Sequence, residues 1–262
     1  WEKVTGAKKY EVWRATAEDG KYTKVGTSTK TSYTDTKASV GTTYYYKVVA
    51  AGSKSAYNSL KSAATNPVTA LAAQPAVKVK VDSKTGVPVV SWGKVSGAVG
   101  YIVAYIDVTD FAETGAEPDE EYVLEHIQGV PTTKTSVMLT DTEPGRLYMI
   151  TVVSVPKNEE YYSVPTDPQY VVSACATPKI TGFIDEDSGK PGAYWNEVDG
   201  AEGYIVYRST KSGSGYKALG IAYDTYFIDE TAVKGKTYYY KVTAATDYSE
   251  SALSNSVKLK SK

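Results

Sequence analysis

One cysteine, one histidine and three phenylalanines are all that this 262-residue chain holds of those types. A lone Cys175 excludes an internal disulfide framework, and with His126 as the only histidine the usual zinc ligand sets are excluded too. Long apolar runs are also missing. None approaches the roughly 18 residues that cross a bilayer, and the chain opens Trp1-Glu2-Lys3 rather than with a basic stretch followed by an apolar one. No membrane insertion is expected of this segment. Charge of one sign is absent as well, 29 Lys and Arg standing against 30 Asp and Glu for a net of −1. Without a global basic field, nucleic acid is a poor partner. G-x-S-x-G, H-E-x-x-H and glycine-rich phosphate loops do not occur, so the parts of an enzyme are lacking and no cofactor is expected.

Tyrosine is what the chain has in quantity, with 24 residues. An apolar ring with a polar tip suits thin sandwiches whose residues are seldom fully enclosed. Val, Thr and Tyr recur in alternating runs, and the one alanine-rich stretch, 62–76, is cut by Pro67 and Pro75. The composition predicts an all-β protein with almost no helix.

Self-similarity sharpens this reading. The pattern W-x-x-V-x-G-A-x-x-Y-x-V begins at Trp1, at Trp92 and at Trp195. A second block follows each copy: Asp35 then Gly41-Thr42-Thr43-Tyr44-Tyr45-Tyr46-Lys47-Val48, Asp229 then Gly235-Lys236-Thr237-Tyr238-Tyr239-Tyr240-Lys241-Val242, and more loosely Asp141 then Gly145-Arg146-Leu147-Tyr148. From tryptophan to this tyrosine is 43 residues in the first copy and in the third. The tryptophans stand 91 and then 103 residues apart, a period too long for a solenoid and suited to small domains in series. The three aspartates, ahead of glycine turns, are expected to cap those turns.

These blocks resemble the fibronectin type III domain over essentially the whole chain. The resemblance implies three tandem immunoglobulin-like β-sandwiches, at 1–72, 73–175 and 176–262. It places Trp1, Trp92 and Trp195 on strand B, Tyr10, Tyr101 and Tyr204 on strand C, and Tyr44, Tyr148 and Tyr238 at the tyrosine corner of strand F. The third copy looks like versions found on bacterial surface proteins and beside secreted polysaccharide-degrading enzymes. Fold therefore reads more specifically than function. Pro75 and Pro178 each precede their tryptophan by 17 residues and mark strand A, so the linkers are short and the tandem is expected to be semi-rigid and elongated. The first copy begins at its tryptophan, which leaves it without strand A. From this Trp1 is expected not to be a natural terminus, the alternative being a strand donor from another molecule.

The middle copy carries extra residues around strand C′, with Asp107, Asp110, Glu113, Glu117, Asp119, Glu120, Glu121 and Glu125 in a stretch where no Lys or Arg lies between Lys94 and Lys134. Calcium is one reading; without a D-x-[DN]-x-[DN]-G spacing, a solvated loop is the preferred one, and no metal site is assigned. Residues 1–73 carry 11 basic and 5 acidic side chains (+6), 74–177 carry 7 and 14 (−7), and 178–262 carry 11 of each. His126, in this acidic stretch, reads as a surface histidine, and Cys175 as a small buried hydrophobe. R-G-D does not occur.

One surface constellation remains. Strand alternation with Tyr10, Val12, Tyr44 and Tyr46 inward turns Trp13, Tyr45 and Lys47 outward, and likewise Tyr207 and Tyr239. Trp13 is expected near Tyr45 and Tyr207 near Tyr239, either as stabilising cross-strand pairs or as a platform for sugar rings or a protein partner. The sequence thus predicts a non-catalytic extracellular spacer or adhesion segment, with protein or glycan at a cell surface as partner.

Overall fold

The computed structural model describes all 262 residues, the side chain of Glu113 alone lying outside the described set. By compactness the chain divides into two units, one of Trp1–Pro75, Lys94–Tyr101 and Val153–Pro165, the other of Ala76–Gly93, Ile102–Val152 and Thr166–Lys262. The first copy contributes β1 (Lys9–Ala15), β2 (Thr23–Ser28), β3 (Thr43–Ala51) and β4 (Val68–Thr69). They form one sheet in the order β2-β1-β3-β4. The middle copy builds β5 (Val77–Val81), β6 (Pro88–Trp92), β7 (Ala98–Asp107), β8 (Gln128–Thr132), β9 (Ser136–Met138), β10 (Leu147–Pro156) and β11 (Gln169–Val172). Their orders are β5-β6-β9 and β11-β10-β7-β8. The third builds β12 (Ile180–Ile184), β13 (Pro191–Trp195), β14 (Gly203–Ser209), β15 (Lys217–Ala222), β16 (Tyr226–Ile228), β17 (Thr237–Ala245) and β18 (Val257–Lys260), ordered β12-β13-β16 and β15-β14-β17-β18. A three-stranded A-B-E sheet and a four-stranded C′-C-F-G sheet make up the fibronectin type III sandwich.

Each repeated motif residue has a physical task. The C-strand hydroxyls of Tyr10, Tyr101 and Tyr204 accept from the N–H of Val4, Val95 and Val198 (2.8, 2.9 and 3.0 Å), tying strand C to the turn before it. The corner hydroxyls of Tyr44, Tyr148 and Tyr238 accept from the N–H of Ser39, Glu143 and Val233 (3.1, 2.9 and 3.2 Å). The glycine of V-x-G-A has φ of 85°, 81° and 72° at Gly6, Gly97 and Gly200, a left-handed turn that a side chain would strain. In the third copy Trp195 packs on Tyr204 with ring centroids 5.4 Å apart, and Val206, Tyr240 and Val242 fill the space between the sheets.

In the first copy Trp1 meets Tyr10 in nearly the same way, at 5.3 Å, yet is 40% exposed where Trp195 is 4%. The cause lies in the sheets: residues 1–8 and 29–42 form no strand, so the strands of this copy make a single sheet.

The chain is nearly all β, and the expectation corrected here is that of a solvated loop in the insertion of the middle copy. There α1 (Thr109–Thr114) and α2 (Glu120–His126) form. Asp119 caps α2, its carboxylate accepting from the Tyr122 N–H at 2.8 Å, with Glu120 and Glu121 in the first turn and His126 in the last. That order of charge complements the helix dipole. Phe111 and Tyr122 hold the two helices together edge to face at 4.6 Å.

The linkers are pinned. Ala72 donates to the Tyr161 carbonyl at 3.0 Å and the Ala73 carbonyl accepts from the Ser154 hydroxyl at 2.5 Å. Further on, Ala174 donates to Gly86 at 2.9 Å and Thr177 donates to Lys84 at 3.0 Å.

Candidate functional site

Strand C of the first and third copies carries an arginine on its inward side, and the fold supplies the carboxylate that such a charge requires. Arg14 Nη1 lies 2.7 Å from Asp35 Oδ2, and Arg208 Nη1 lies 2.7 Å from Asp229 Oδ2. The hydroxyls of Tyr46 (3.2 Å) and Tyr240 (2.7 Å) donate to the same oxygens. Asp35 and Asp229 also cap their turns, accepting from the N–H of Lys37 and Thr231. Burial alone would raise the Asp229 carboxyl, but hydrogen bonds from Thr231, Tyr240 and Arg208 hold it below the ordinary carboxylate value. Burial first, then the neighbouring Asp35, pushes Tyr46 up to about 12.

The middle copy breaks this rule. Tyr105 stands where the arginine would be, its hydroxyl donating to Gln128 Oε1 (2.6 Å) and reaching the Asp141 carbonyl (3.4 Å). The ion pair is rebuilt from Asp107, whose Oδ2 lies 2.7 Å from Arg146 Nε. The Asp141 cap expected from the repeat is thus corrected: among the described hydrogen bonds this residue takes part through its backbone. Asp107 is desolvated, yet bonds from Thr109 and Arg146 prevail and keep its carboxyl low.

The outward face of the same sheets holds Trp13, Tyr45, Tyr207 and Tyr239. All four are half-buried. Register decides their neighbours: Trp13 faces Lys47 on β3 and Lys24 on β2, while Tyr45 faces Ala15. Tyr207 faces Lys241 and Ala218, and Tyr239 faces Ser209. Trp13 and Tyr45 are therefore not directly opposite one another, nor are Tyr207 and Tyr239, and a lysine stands across from Trp13 and from Tyr207. A bulge in the C–C′ pairing sits at Val12/Trp13 and again at Val206/Tyr207, which sets the aim of both side chains.

The lysines are ordered by what they touch. Lys61 Nζ lies 3.9 Å from the centre of the Trp13 ring, Lys47 Nζ 4.4 Å from that of Tyr22, and Lys241 Nζ 5.1 Å from that of Tyr216. Lys24 reaches Glu11 at 2.6 Å, a hydrogen bond that lowers the Glu11 carboxyl. In the third copy the Tyr207 hydroxyl donates to Glu250 Oε1 at 2.6 Å, and the same oxygen accepts from Thr243 at 2.7 Å. Cation over ring is worth about 0.5–1 kcal/mol at exposed sites. Alternation revealed the aromatic positions but not Lys61, which approaches from the stretch before β4.

Among the insertion residues, a groove of about 440 Å³ opens beside α2, with Asp107, Tyr122, His126, Arg146 and Tyr148 in its wall. Its guanidinium is already engaged by Asp107 and, at 3.6 Å, by Asp110. His126 is exposed, stacked on Tyr122 at 4.1 Å, and its Nδ1 lies 2.9 Å from the Tyr122 carbonyl. Cys175 is 1% exposed, and burial followed by Glu202 pushes its thiol up to about 11. Among the described residues no helix is long and apolar enough to cross a membrane, and no group of three or more His, Cys, Asp or Glu is placed to hold a metal ion.

No protein-family model and no curated protein matches the chain. Among solved structures it is similar to an Fn3-like protein from Clostridium thermocellum, at 32% identity over 34% of this chain and 94% of that one, with a TM-score of 0.32. A three-domain segment of chicken contactin 1 (FN1–FN3) matches at 13% identity over 98% of this chain and 90% of the other, TM-score 0.33. The two-domain fibronectin type III segment of chicken tenascin matches at 17% over 72% and 99%, TM-score 0.43.

Proposed function

We propose that this chain, a member of the fibronectin type III-like family, is a non-catalytic extracellular segment of a larger surface protein, spacing and presenting other modules and adhering through its sheet faces. The observation that carries the reading is the pinning of the segments between copies. Ala72 and Ala73 are hydrogen-bonded to Tyr161 and Ser154, and Ala174 and Thr177 to Gly86 and Lys84, so these connections do not behave as free linkers. Pro178, which opens the third copy, is fully buried. Segments tied to their own unit in this way favour a spacer over a string of loosely tethered binding domains.

A second reading, an accessory module that binds carbohydrate on Trp13, Tyr45, Tyr207 and Tyr239, is favoured by the recurrence of an outward aromatic frame in two copies. Its cost is visible in the geometry: Lys61 already occupies the Trp13 face, and a sugar ring has to displace it. Glycan-array binding with a cell-adhesion assay beside it separates the two. On the spacer and adhesion reading, Trp13→Ala and Tyr207→Ala leave glycan signal at background and the fold intact. Glycan binding that drops tenfold or more in either variant selects the carbohydrate module instead.

A further inference from the structure

The first and third copies share an outward frame on the C′-C-F-G sheet, and they differ in what is set into it. Tyr22 corresponds to Tyr216, Trp13 to Tyr207, Tyr45 to Tyr239 and Lys47 to Lys241. Around that frame the first copy adds Lys9, Lys24 and Lys61, whose counterparts in the third are Gly203, Ala218 and Leu253. Glu11 is the one carboxylate among the strand residues of this face in the first copy, and Lys24 already engages it. Lys9 lies on the same side of β1, close enough to lower the Glu11 carboxyl. In the third copy Lys241 shares its face with Glu250. The shared rings belong to the fold. The added lysines make one sheet face strongly basic and leave its counterpart near neutral.

A matching surface exists on the same chain. The side of α2 turned away from Tyr122 presents Glu120 and Glu121 beside Leu124, which is 71% exposed, with Ile127 (44%) beyond it, and Glu125 is exposed on the flank nearer Tyr122. Spacing of three and four residues puts Glu120, Glu121, Leu124 and Ile127 along one stripe of a helix. An exposed leucine rimmed by carboxylates complements a half-buried tryptophan rimmed by ammonium groups. Residues 1–73 and 74–177 carry net charges of +6 and −7, so the two surfaces attract at long range before they touch.

We propose that the Lys9, Lys24, Lys47 and Lys61 face around Trp13 is a docking surface for a second copy of this chain, which presents the acidic side of α2. Each copy carries one surface of each kind, so two copies that engage reciprocally close as a dimer, and copies that engage in one direction only form a chain; sedimentation distinguishes the two. Such an arrangement lets neighbouring molecules at a surface associate side by side without a further partner.

Charge reversal tests this directly. Sedimentation velocity of the full chain from low to high micromolar concentration is expected to show self-association at about 50 mM salt that weakens tenfold or more by about 500 mM, as the screening length shortens. Reversal of the basic face (Lys9→Glu, Lys24→Glu, Lys61→Glu) or of the helix (Glu120→Lys, Glu121→Lys, Glu125→Lys) abolishes association of each variant by itself. Mixing the two variants restores it, because each then offers the surface the other lacks. Thermal melts establish that both remain folded, and the milder set Lys9→Gln, Lys24→Gln, Lys61→Gln replaces the first reversal if it does not. A wild-type chain that stays monomeric across the range, or association that the reversals leave unchanged, overturns the proposal. So does a monomer whose basic face instead binds an acidic polysaccharide.

Discussion

Trp195→Ala is expected to destabilise the third sandwich by about 3–5 kcal/mol, the range for removing a large aromatic from a packed core. The indole is 4% exposed, sits at the end of β13 and packs on Tyr204, so alanine leaves a cavity that strands held on two sides cannot close. The internal comparison makes the prediction sharper. Trp1 meets Tyr10 with almost the same ring geometry but is 40% exposed, so Trp1→Ala should cost far less. Urea unfolding followed by hydrogen exchange over residues 180–260 separates the third copy from the others. Equal losses from the two variants would show that the missing A-B-E sheet does not weaken the first core.

Asp229→Asn carries the second large effect. Asp229 is 1% exposed and is the acceptor for Arg208, Tyr240 and Thr231 at once. Asparagine can still accept from Tyr240, but it leaves the partly exposed Arg208 guanidinium without a counter-charge, and leaving such a group short of its partner costs about 1–3 kcal/mol. The same carboxylate sets a pH dependence. Its native value lies below the ordinary one, so its stabilising contribution is fully present above the unfolded-chain value near 4 and is lost as pH falls through the lower native value. Wild-type stability of the third copy should therefore decline below about pH 4, and Asp229→Asn should flatten that part of the profile. A variant with the wild-type acid slope would assign the loss to other carboxylates.

The repeat made the sandwich legible because its residues are those on which the backbone depends: a left-handed glycine, a tyrosine hydroxyl that takes up a loose N–H, a tryptophan at the end of strand B. The Arg–Asp pair was legible too, in principle. Alternation that puts Tyr10 and Val12 inward puts Arg14 inward as well, and a half-buried guanidinium demands an acid, which Asp35 and Asp229 supply 21 residues further on in each copy. The middle copy has Tyr105 in place of that arginine, and the repeat alone, read without it, gave Asp141 a cap that the structure does not show. The helices of the insertion were signalled by Asp119 followed by Glu120 and Glu121, with His126 at the other end, but seven residues are too few for a hydrophobic period to show. The lysines over Trp13 and Tyr22 were not legible in strand alternation, because Lys61 and Tyr22 lie outside the paired strands and only the folded chain brings them to the same face.

The extracellular placement on which the functional reading depends is tested most directly by labelling intact cells of the organism that makes the protein with antibody raised against this chain. Unpermeabilised cells are expected to stain, or the chain to be recovered from the medium, with the surface signal removed by external protease. Staining that emerges only after permeabilisation, and that external protease leaves untouched, would contradict it.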